Sequence, residues 1–359
     1  MGWNWNDLTT RAGATLATFS PTAYEFTQNQ NTQHVVYQGF TAAGGADGHL
    51  YELWWDAVWH HKDLTDEAGA PLAFLEPAGY VFTVQGTQHA VYLGAGDGGT
   101  DGRIHELWWD DDGWHRNDLT AAAGGAPPAA NTPAGYEFRG QHIVYRGNDS
   151  HIHDLRWSID GWHHADLTVA AGAPIAGGQP SGYAFAAQNT QHVVYLGTDS
   201  HVHELWWYGN EWRHNDLTLA ARAPLASDQP IGYVFAFEGT QHVIHRGVDG
   251  HIHELRWIAD GWGHNDLTAA AGAPPASSGR PAGYAFDAQG TQHVDYGGTD
   301  GHVHELWRDS QWHHSDLTAM TGAPPTISYP AGYVFTVEGS QHVVHNADDH
   351  HIVELWWKP

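Results

Sequence analysis

The sequence predicts an all-β protein: a seven-bladed β-propeller with four antiparallel strands in each blade and a ring closed by its N-terminal strand. The first observation behind this prediction is the tripeptide Asp-Leu-Thr, whose later copies are spaced 48 and then 50 residues apart. A unit of this length that holds four short strands is typical of a propeller blade. The seven copies begin at Asp7, Asp63, Asp118, Asp166, Asp216, Asp266 and Asp316.

The second observation is the strand pattern inside one repeat. In the fourth repeat, residues 182–185 and 191–196 are short aromatic and β-branched runs, and 201–207 and 212–217 follow after turn residues. Such runs bounded by turn chemistry predict antiparallel strands. The connector 218–224 is rich in Ala but short, and Pro and Gly interrupt it and its copies, so we expect a loop there.

The third observation concerns the two ends of the chain. Residues 3–9 match a fourth strand without its blade, and residues 354–359 end a third strand that lacks its fourth. We therefore expect the first strand to complete the last blade, which leaves no unpaired edge between the termini. The predicted single domain spans 1–359, with blades at about 20–65, 77–120, 133–168, 180–218, 230–268, 281–318, and 330–359 plus 1–9.

Composition excludes several classes of protein. A formal net charge of -27 argues against binding to nucleic acid or to anionic membranes, because both need a basic surface. Cysteine is absent, so no disulfide or Cys-based metal site is expected. We find no signal peptide and no apolar run long enough for a membrane span, which predicts a soluble protein without membrane insertion. Its compartment stays open, cytoplasmic or exported by a non-classical route, as does its oligomeric state.

An acidic residue recurs on the third strand of every repeat. Side chains two apart on a strand share a face, so Glu204 lies beside Trp206, and Asp154 lies beside Arg156. Both faces of such a strand are covered by neighbouring blades. Burying an unpaired carboxylate costs several kcal/mol, roughly, so we expect each acid to be paired or to line a crevice between blades.

The repeated unit His-Val-Val-Tyr, a turn, Glu-Leu-Trp-Trp and then Gly-Trp resembles the repeat of the fucose-binding propeller lectins of the Aleuria aurantia type. Seven-bladed bacterial lectins from Photorhabdus are similar in outline. In the fungal family, a basic residue and a Glu of one blade hold the sugar hydroxyls, and two aromatic residues of the next blade pack on its apolar face. The resemblance implies a multivalent carbohydrate-binding protein with terminal monosaccharides, such as fucose or a related sugar, as ligands.

Carried over residue by residue, the resemblance implies sugar pockets between successive blades. We number each crevice by the blade that supplies the His and the acid. The six implied sets are His34, Glu52, Trp109 and Trp114; His89, Glu106, Trp157 and Trp162; His142, Asp154, Trp207 and Trp212; His192, Glu204, Trp257 and Trp262; His293, Glu305, Trp357 and Trp3; and His342, Glu354, Trp55 and Trp59.

Two departures from the family pattern bear on this expectation. In the fifth crevice, His242 and Glu254 face Arg308 and Trp312, so we expect no working pocket there. All seven repeats also have His where the fungal family has Arg. Neutral His cannot donate the bidentate fork of a guanidinium, so the identity of the sugar stays open.

Three other functions remain as alternatives. The repeated His and Glu could simply hydrogen-bond between blades in a non-catalytic interaction scaffold. His-x-His pairs such as His201 and His203 could chelate a metal, but three repeats lack the pattern, so we predict no metal site and no cofactor. A glycoside-acting enzyme would need a catalytic set that breaks the repeat, and none is visible, so we predict a protein that is not an enzyme.

Overall fold

The computed structural model describes residues 2–28, 30–258 and 261–359. The chain forms seven four-stranded antiparallel sheets, the blades of a propeller, as predicted. It opens with β1 (Asn4–Asp7) and α1 (Leu8–Ala12). Blade one consists of β2 (Thr22–Phe26), β3 (Thr32–Phe40), β4 (Ala46–Trp55) and β5 (Trp59–Asp63), followed by α2 (Leu64–Ala68). Blade two consists of β6 (Ala78–Phe82), β7 (Thr87–Gly96), β8 (Gly99–Asp110) and β9 (Gly113–Asp118), followed by α3 (Leu119–Ala122).

The next three blades follow the same order of four strands and one connector. Blade three consists of β10 (Ala134–Glu137), β11 (Gln141–Arg146), β12 (Ile152–Ser158) and β13 (Gly161–Asp166), followed by α4 (Leu167–Ala171). Blade four consists of β14 (Ser181–Phe185), β15 (Thr190–Leu196), β16 (Val202–Tyr208) and β17 (Glu211–Asp216), followed by α5 (Leu217–Ala221). Blade five consists of β18 (Ile231–Phe235), β19 (Thr240–Arg246), β20 (Ile252–Ile258) and β21 (Gly261–Asp266), followed by α6 (Leu267–Ala271).

The last two blades bring the chain back to its start. Blade six consists of β22 (Ala282–Phe286), β23 (Thr291–Gly297), β24 (Val303–Arg308) and β25 (Trp312–Asp316), followed by α7 (Leu317–Thr321). Blade seven consists of β26 (Ala331–Phe335), β27 (Ser340–Asn346), β28 (Ile352–Trp357) and the N-terminal β1. β1 pairs antiparallel with β28, with Trp5 opposite Leu355, so the predicted closure of the ring by the first strand is confirmed.

The connectors after the fourth strands are short helices, and the prediction of loops there was wrong. In blade four, the Asp216 side chain accepts a hydrogen bond from the Leu219 backbone N–H at 2.9 Å and so caps α5. Thr218 of the same tripeptide accepts from the Val202 backbone N–H at 2.9 Å. Asp216 and Thr218 of the tripeptide thus both accept hydrogen bonds from backbone N–H groups. A five-residue helix is too short for a periodic apolar pattern, so its cap and tertiary contacts stabilise it.

The core lies between blades rather than inside each one. A representative cluster joins Val194 and Leu217 of blade four to Val243 and Leu255 of blade five, all fully buried. Burying a side chain of this size contributes roughly 1.5–3 kcal/mol. Since each blade shares its apolar faces with both neighbours, the width of every crevice is set by this packing. No helix in the described residues has the length and apolar character needed to cross a membrane.

A polar contact between inner strands holds adjacent blades in register. The Tyr136 hydroxyl of blade three donates to the Gln191 side-chain oxygen of blade four at 2.8 Å. A Cβ at Gly182 would lie 2.3 Å from the Tyr136 ring, so any residue other than glycine would clash with this ring. Five further tyrosines make the same bond to the next blade, namely Tyr24, Tyr80, Tyr183, Tyr233 and Tyr333.

Candidate functional site

The predicted His and acid of each blade form a buried hydrogen-bonded pair. In blade four, His192 Nδ1 lies 2.8 Å from Glu204 Oε1, and both residues are buried. The His192 ring stacks on Tyr183, with centroids 5.1 Å apart, and its Nε2 lies 2.7 Å from the Thr190 hydroxyl. The Nδ1 to carboxylate distance is between 2.7 and 2.9 Å in all seven blades.

This bonding changes the role expected of the His. Both ring nitrogens of His192 are engaged inside its own blade, by Glu204 and by Thr190. The ring therefore has no nitrogen left for a ligand, and its effect is to fix the carboxylate. In blade five, burial alone would raise the pKa of Glu254, but hydrogen bonds from His242 and Asn265 hold that pKa below its ordinary value.

The third crevice contains a cavity of about 570 Å³, a volume typical of small-ligand sites. Its walls include all four predicted residues, which are His142 and Asp154 of blade three with Trp207 and Trp212 of blade four. Both indole rings are half-buried, and the Arg139 guanidinium lies over the Trp207 ring at 5.3 Å from its centroid. The structure thus brings this predicted set together.

The second and sixth crevices repeat the arrangement in smaller cavities. One of about 230 Å³ is lined by His89 and Glu106 with Trp157 and Trp162. The other, of about 350 Å³, is lined by the predicted set His293, Glu305, Trp357 and Trp3. The sixth crevice depends on ring closure, because Trp3 precedes the first strand and Trp357 ends the last.

The first, fourth and seventh crevices also place the predicted side chains at a blade junction, and a Trp–Phe contact like those of crevices two and three recurs in each of them. In crevice one, Trp109 meets Phe26 edge-on at 5.8 Å, and Trp114 is only 8% exposed. In crevice four, the second oxygen of Glu204 accepts from Asn215, and Trp257 meets Phe185 at 6.2 Å.

In crevice seven, the second oxygen of Glu354 accepts from Asn6 at 2.7 Å. Trp55 there meets Phe335 edge-on at 5.8 Å, and Trp59 packs against the apolar cluster of Leu8 and Tyr333. In crevices four and seven the second oxygen of the acid is thus occupied, whereas in crevices one, two and six the second oxygen of Glu52, Glu106 and Glu305 has no hydrogen-bond partner among the described residues.

The fifth crevice is filled by an ion-pair clamp. The Glu238 carboxylate bonds Arg256 Nη2 at 2.6 Å and Arg308 Nη1 at 3.1 Å, so guanidinium groups of two blades meet on one loop residue. Arg308 stands where the other blades have a tryptophan platform.

Two further kinds of residue line the cavities and were not among the predicted site residues. The Gln of the next blade that accepts the Tyr hydrogen bond lies in the wall, as Gln141 in crevice two and Gln191 in crevice three. The residue two after the acid also lines the wall, as Trp108, Arg156 and Trp307. The repeated Gln-His dipeptide and the alternation of side chains along the third strand were the signals that could have found them.

The His-x-His pairs lie at the outer part of the blades, within hydrogen-bonded groups of their own. In blade four, Asp199, His203 and Asp216 have potential ligand atoms within 4.8 Å of one another, and blades three and six have matching groups. His203 Nδ1 already bonds His214 at 3.0 Å and its Nε2 bonds Asp199 at 3.1 Å. A metal ion would have to displace these bonds.

Comparisons with known proteins agree with this architecture. No family model matches the sequence, and no curated relative matches it. Among solved structures, the lectin BP39L from Burkholderia pseudomallei superposes with a TM-score of 0.71 at 15% identity, covering 96% of this chain and 97% of that one. The chain shares the β-propeller fold of this lectin. A variant of the Aleuria aurantia lectin in complex with α-methyl-L-fucoside superposes at 0.52 with 12% identity, over 78% of this chain and 90% of that one.

The fold is not confined to lectins. A Bacteroides uniformis protein described as a candidate 6-phosphogluconolactonase superposes with a TM-score of 0.56 at 10% identity, over 91% of this chain and 92% of that one. The resemblance seen in the repeat is thus confirmed at the level of the fold, and function has to be argued from the crevices.

Proposed function

We propose that this chain is a non-catalytic, multivalent carbohydrate-binding protein whose sugar pockets lie in crevices between blades. The observation that carries the proposal is that three separate cavities are each lined by the predicted His and acid of one blade and the two tryptophans of the next. A sugar ring needs a flat aromatic surface for its C–H face and polar groups for its hydroxyls. Each of these crevices supplies both.

In crevices two and six, the carboxylate is the group that we expect to accept sugar hydroxyls. Glu305 Oε1 is held by His293 Nδ1 at 2.8 Å, and His293 Nε2 lies 2.8 Å from the Thr291 hydroxyl. With the imidazole engaged on both sides, Glu305 is oriented by His293, and its other oxygen faces the cavity. Gln341 from the next blade lies in the same wall, and its amide nitrogen is 2.7 Å from His293 Nε2. This differs from the Arg-based grip of the fungal family, so a sugar other than fucose fits the proposal.

Several pockets on one ring would act together. A single shallow pocket binds weakly, but linking several binding events raises avidity by roughly 10²-fold or more when a glycan surface can reach them simultaneously. Cavities of about 230, 350 and 570 Å³ also differ in size, so one ring could display pockets of different preference.

The competing function is an interaction scaffold. The observation in its favour is that every His–acid pair is buried and already hydrogen-bonded, as expected of cross-links that serve only the fold.

A glycan array with metal-stripped protein, run in EDTA and again with added calcium or zinc, distinguishes a carbohydrate-binding protein from an interaction scaffold. Binding of a defined terminal sugar in EDTA supports the proposal. Binding only with metal would move the site to the Asp–His groups of the outer strands. No binding to any glycan would favour the scaffold.

A further inference from the structure

The third crevice combines four residues that no other crevice has together. Its acid is Asp154 where the other blades have Glu, and Ala165 stands opposite that acid where blades two, four, five and seven have Asn. Both side chains are shorter, in keeping with the larger cavity. Two arginines, Arg139 and Arg156, also line this cavity. We ask what ligand these differences favour.

Arg156 occupies the position two after the acid, which is Trp in five blades and Arg in blade five. It is exposed, and within the described residues its guanidinium makes no ion pair and no hydrogen bond. Neither carboxylate in the same cavity wall forms an ion pair with it. Asp154 is engaged by His142 at 2.9 Å, and Asp160 bonds His163 at 3.1 Å.

Blade five provides an internal comparison for the same strand position. There Arg256 is held by Glu238, which sits in the turn between β18 and β19, residues 236–239. In blade five, His242 follows its strand partner Tyr233 by nine residues, whereas in blade three His142 follows Tyr136 by six. The segment that joins these strand partners is therefore three residues shorter in blade three, and its turn is residues 138–140. That turn contains Arg139 and no acid, so the carboxylate that neutralises this arginine in blade five has no counterpart.

Arg139 adds a second positive group at the same cavity. Its guanidinium lies 5.3 Å from the Trp207 ring centroid, a cation–π distance, and its Nε donates to Asn189 at 3.2 Å. No carboxylate pairs with it among the described residues. Two guanidinium groups that form no ion pair among the described residues thus line this cavity of about 570 Å³, in a protein whose net charge is -27.

We propose that the third crevice binds an acidic saccharide, a sugar unit bearing a carboxylate, and that Arg156 is its carboxylate ligand. This inference rests on the proposed carbohydrate-binding function and adds a substrate class for one crevice. The ligand carboxylate would take the place that Glu238 holds on Arg256 in blade five. A guanidinium donates to a carboxylate through two parallel N–H groups, which selects the acid over its neutral ester.

The test uses monovalent ligands in matched pairs: methyl glycosides of hexuronic acids and of sialic acid, each with its methyl ester, measured by isothermal titration. We expect the acid to bind wild-type protein about tenfold more tightly than its ester, at one site per chain. In Arg156→Gln, this preference should fall to near parity. The matched control Arg256→Gln alters the same strand position in the clamped fifth crevice and should keep the preference.

The outcomes separate this inference from the function on which it rests. Equal binding of acid and ester to wild type, or a preference that survives in Arg156→Gln, overturns the acidic-sugar assignment while neutral sugars still bind other crevices. Binding of a sulfated sugar but not of any carboxylate overturns the carboxylate as the ligand group. Failure of every sugar, neutral or acidic, overturns the proposed function and the assignment together.

Discussion

The imidazole of His192 is bound on one side by Glu204, at 2.8 Å, and on the other by the hydroxyl of Thr190, at 2.7 Å. Both members of the His–Glu pair are almost wholly buried, with 4% and 2% of their surface exposed. Removing one member of a buried pair leaves the other polar group without compensation.

His192→Phe should therefore destabilise the protein by about 3 kcal/mol, whereas His192→Phe combined with Glu204→Leu should recover most of this loss. Urea denaturation of the wild type, both single variants and the double variant would measure the coupling free energy. A single His variant as stable as wild type would show that the pair does not hold the blade.

Trp357→Ala should abolish sugar binding in crevice six while the protein stays folded. Trp357 is half-buried in the cavity wall rather than in the core, so its loss should cost less than the roughly 3–5 kcal/mol of a fully buried tryptophan. When both proteins are titrated with a neutral sugar, the wild type should show one more binding site per chain than the variant. Trp5→Ala is the matched control, since Trp5 is 36% exposed on the neighbouring strand β1. Unchanged stoichiometry in Trp357→Ala would contradict the assignment of this pocket.

Asp295→Val should stabilise the protein. Asp295 is fully buried on β23 directly opposite Glu305, and neither of its oxygens has a hydrogen-bond partner among the described residues. The other blades have Val at this position, or Ile in blade five. Replacing an unpaired buried carboxylate by the apolar residue of the sister blades should add about 2 kcal/mol to the free energy of unfolding.

The gain should depend on pH in a defined direction. Burial, and then the charge of Glu305, raise the pKa of Asp295 well above its ordinary value. A group with a raised folded-state pKa favours folding at low pH and loses that contribution as pH rises through the raised value. The advantage of Asp295→Val should thus be larger at pH 7 than at pH 4. Equal advantages at both values, measured by thermal melts, would mean that folding does not raise the pKa of Asp295.

The protein should lose stability on mild acidification because of two buried histidines. Burial lowers the pKa of His245 to about 3 and that of His345 to about 4, and for His245 the neighbouring His253 and His264 add to the effect. The unfolded chain binds protons to these groups below about pH 6.5 while the folded chain does not, so stability falls from there down to about pH 4.

The sister blades supply the variant that tests this effect. Tyr37, Tyr92, Tyr145, Tyr195 and Tyr296 occupy the matching position. The Tyr195 hydroxyl donates to the Pro174 carbonyl at 2.8 Å, a bond that does not depend on pH in this range. Between pH 6.5 and 4, the free energy of unfolding of the wild type, measured by urea denaturation, should fall as pH falls. In the double variant His245→Tyr, His345→Tyr this slope should be smaller, by up to roughly 1.4 kcal/mol per pH unit for each histidine removed. An unchanged slope would place the acid sensitivity elsewhere.

The sequence by itself determined the number of blades, the order of their strands and the closure by β1. These follow from local patterns, the two-residue alternation of strands and a repeat near 50 residues, which do not depend on how blades meet. The same alternation placed Glu305 on one face of β24, and the family resemblance added Trp357 from the next blade as its partner. The short helices of the connectors were not predicted, because a helix of about one and a half turns is too short to show the periodic apolar pattern of an amphipathic helix.

Only the tertiary structure decided what each crevice is. Whether a predicted His–acid–Trp set surrounds a cavity depends on side chains that reach across from the neighbouring blade, such as Arg308 on Glu238 or Gln341 on His293. Those contacts join residues far apart in the chain, and their distances are set by close packing of the blades. The hydrogen bonds of both His192 nitrogens and the unpaired state of Arg156 depend on which rotamers the packing fixes, so they too became visible only in the fold.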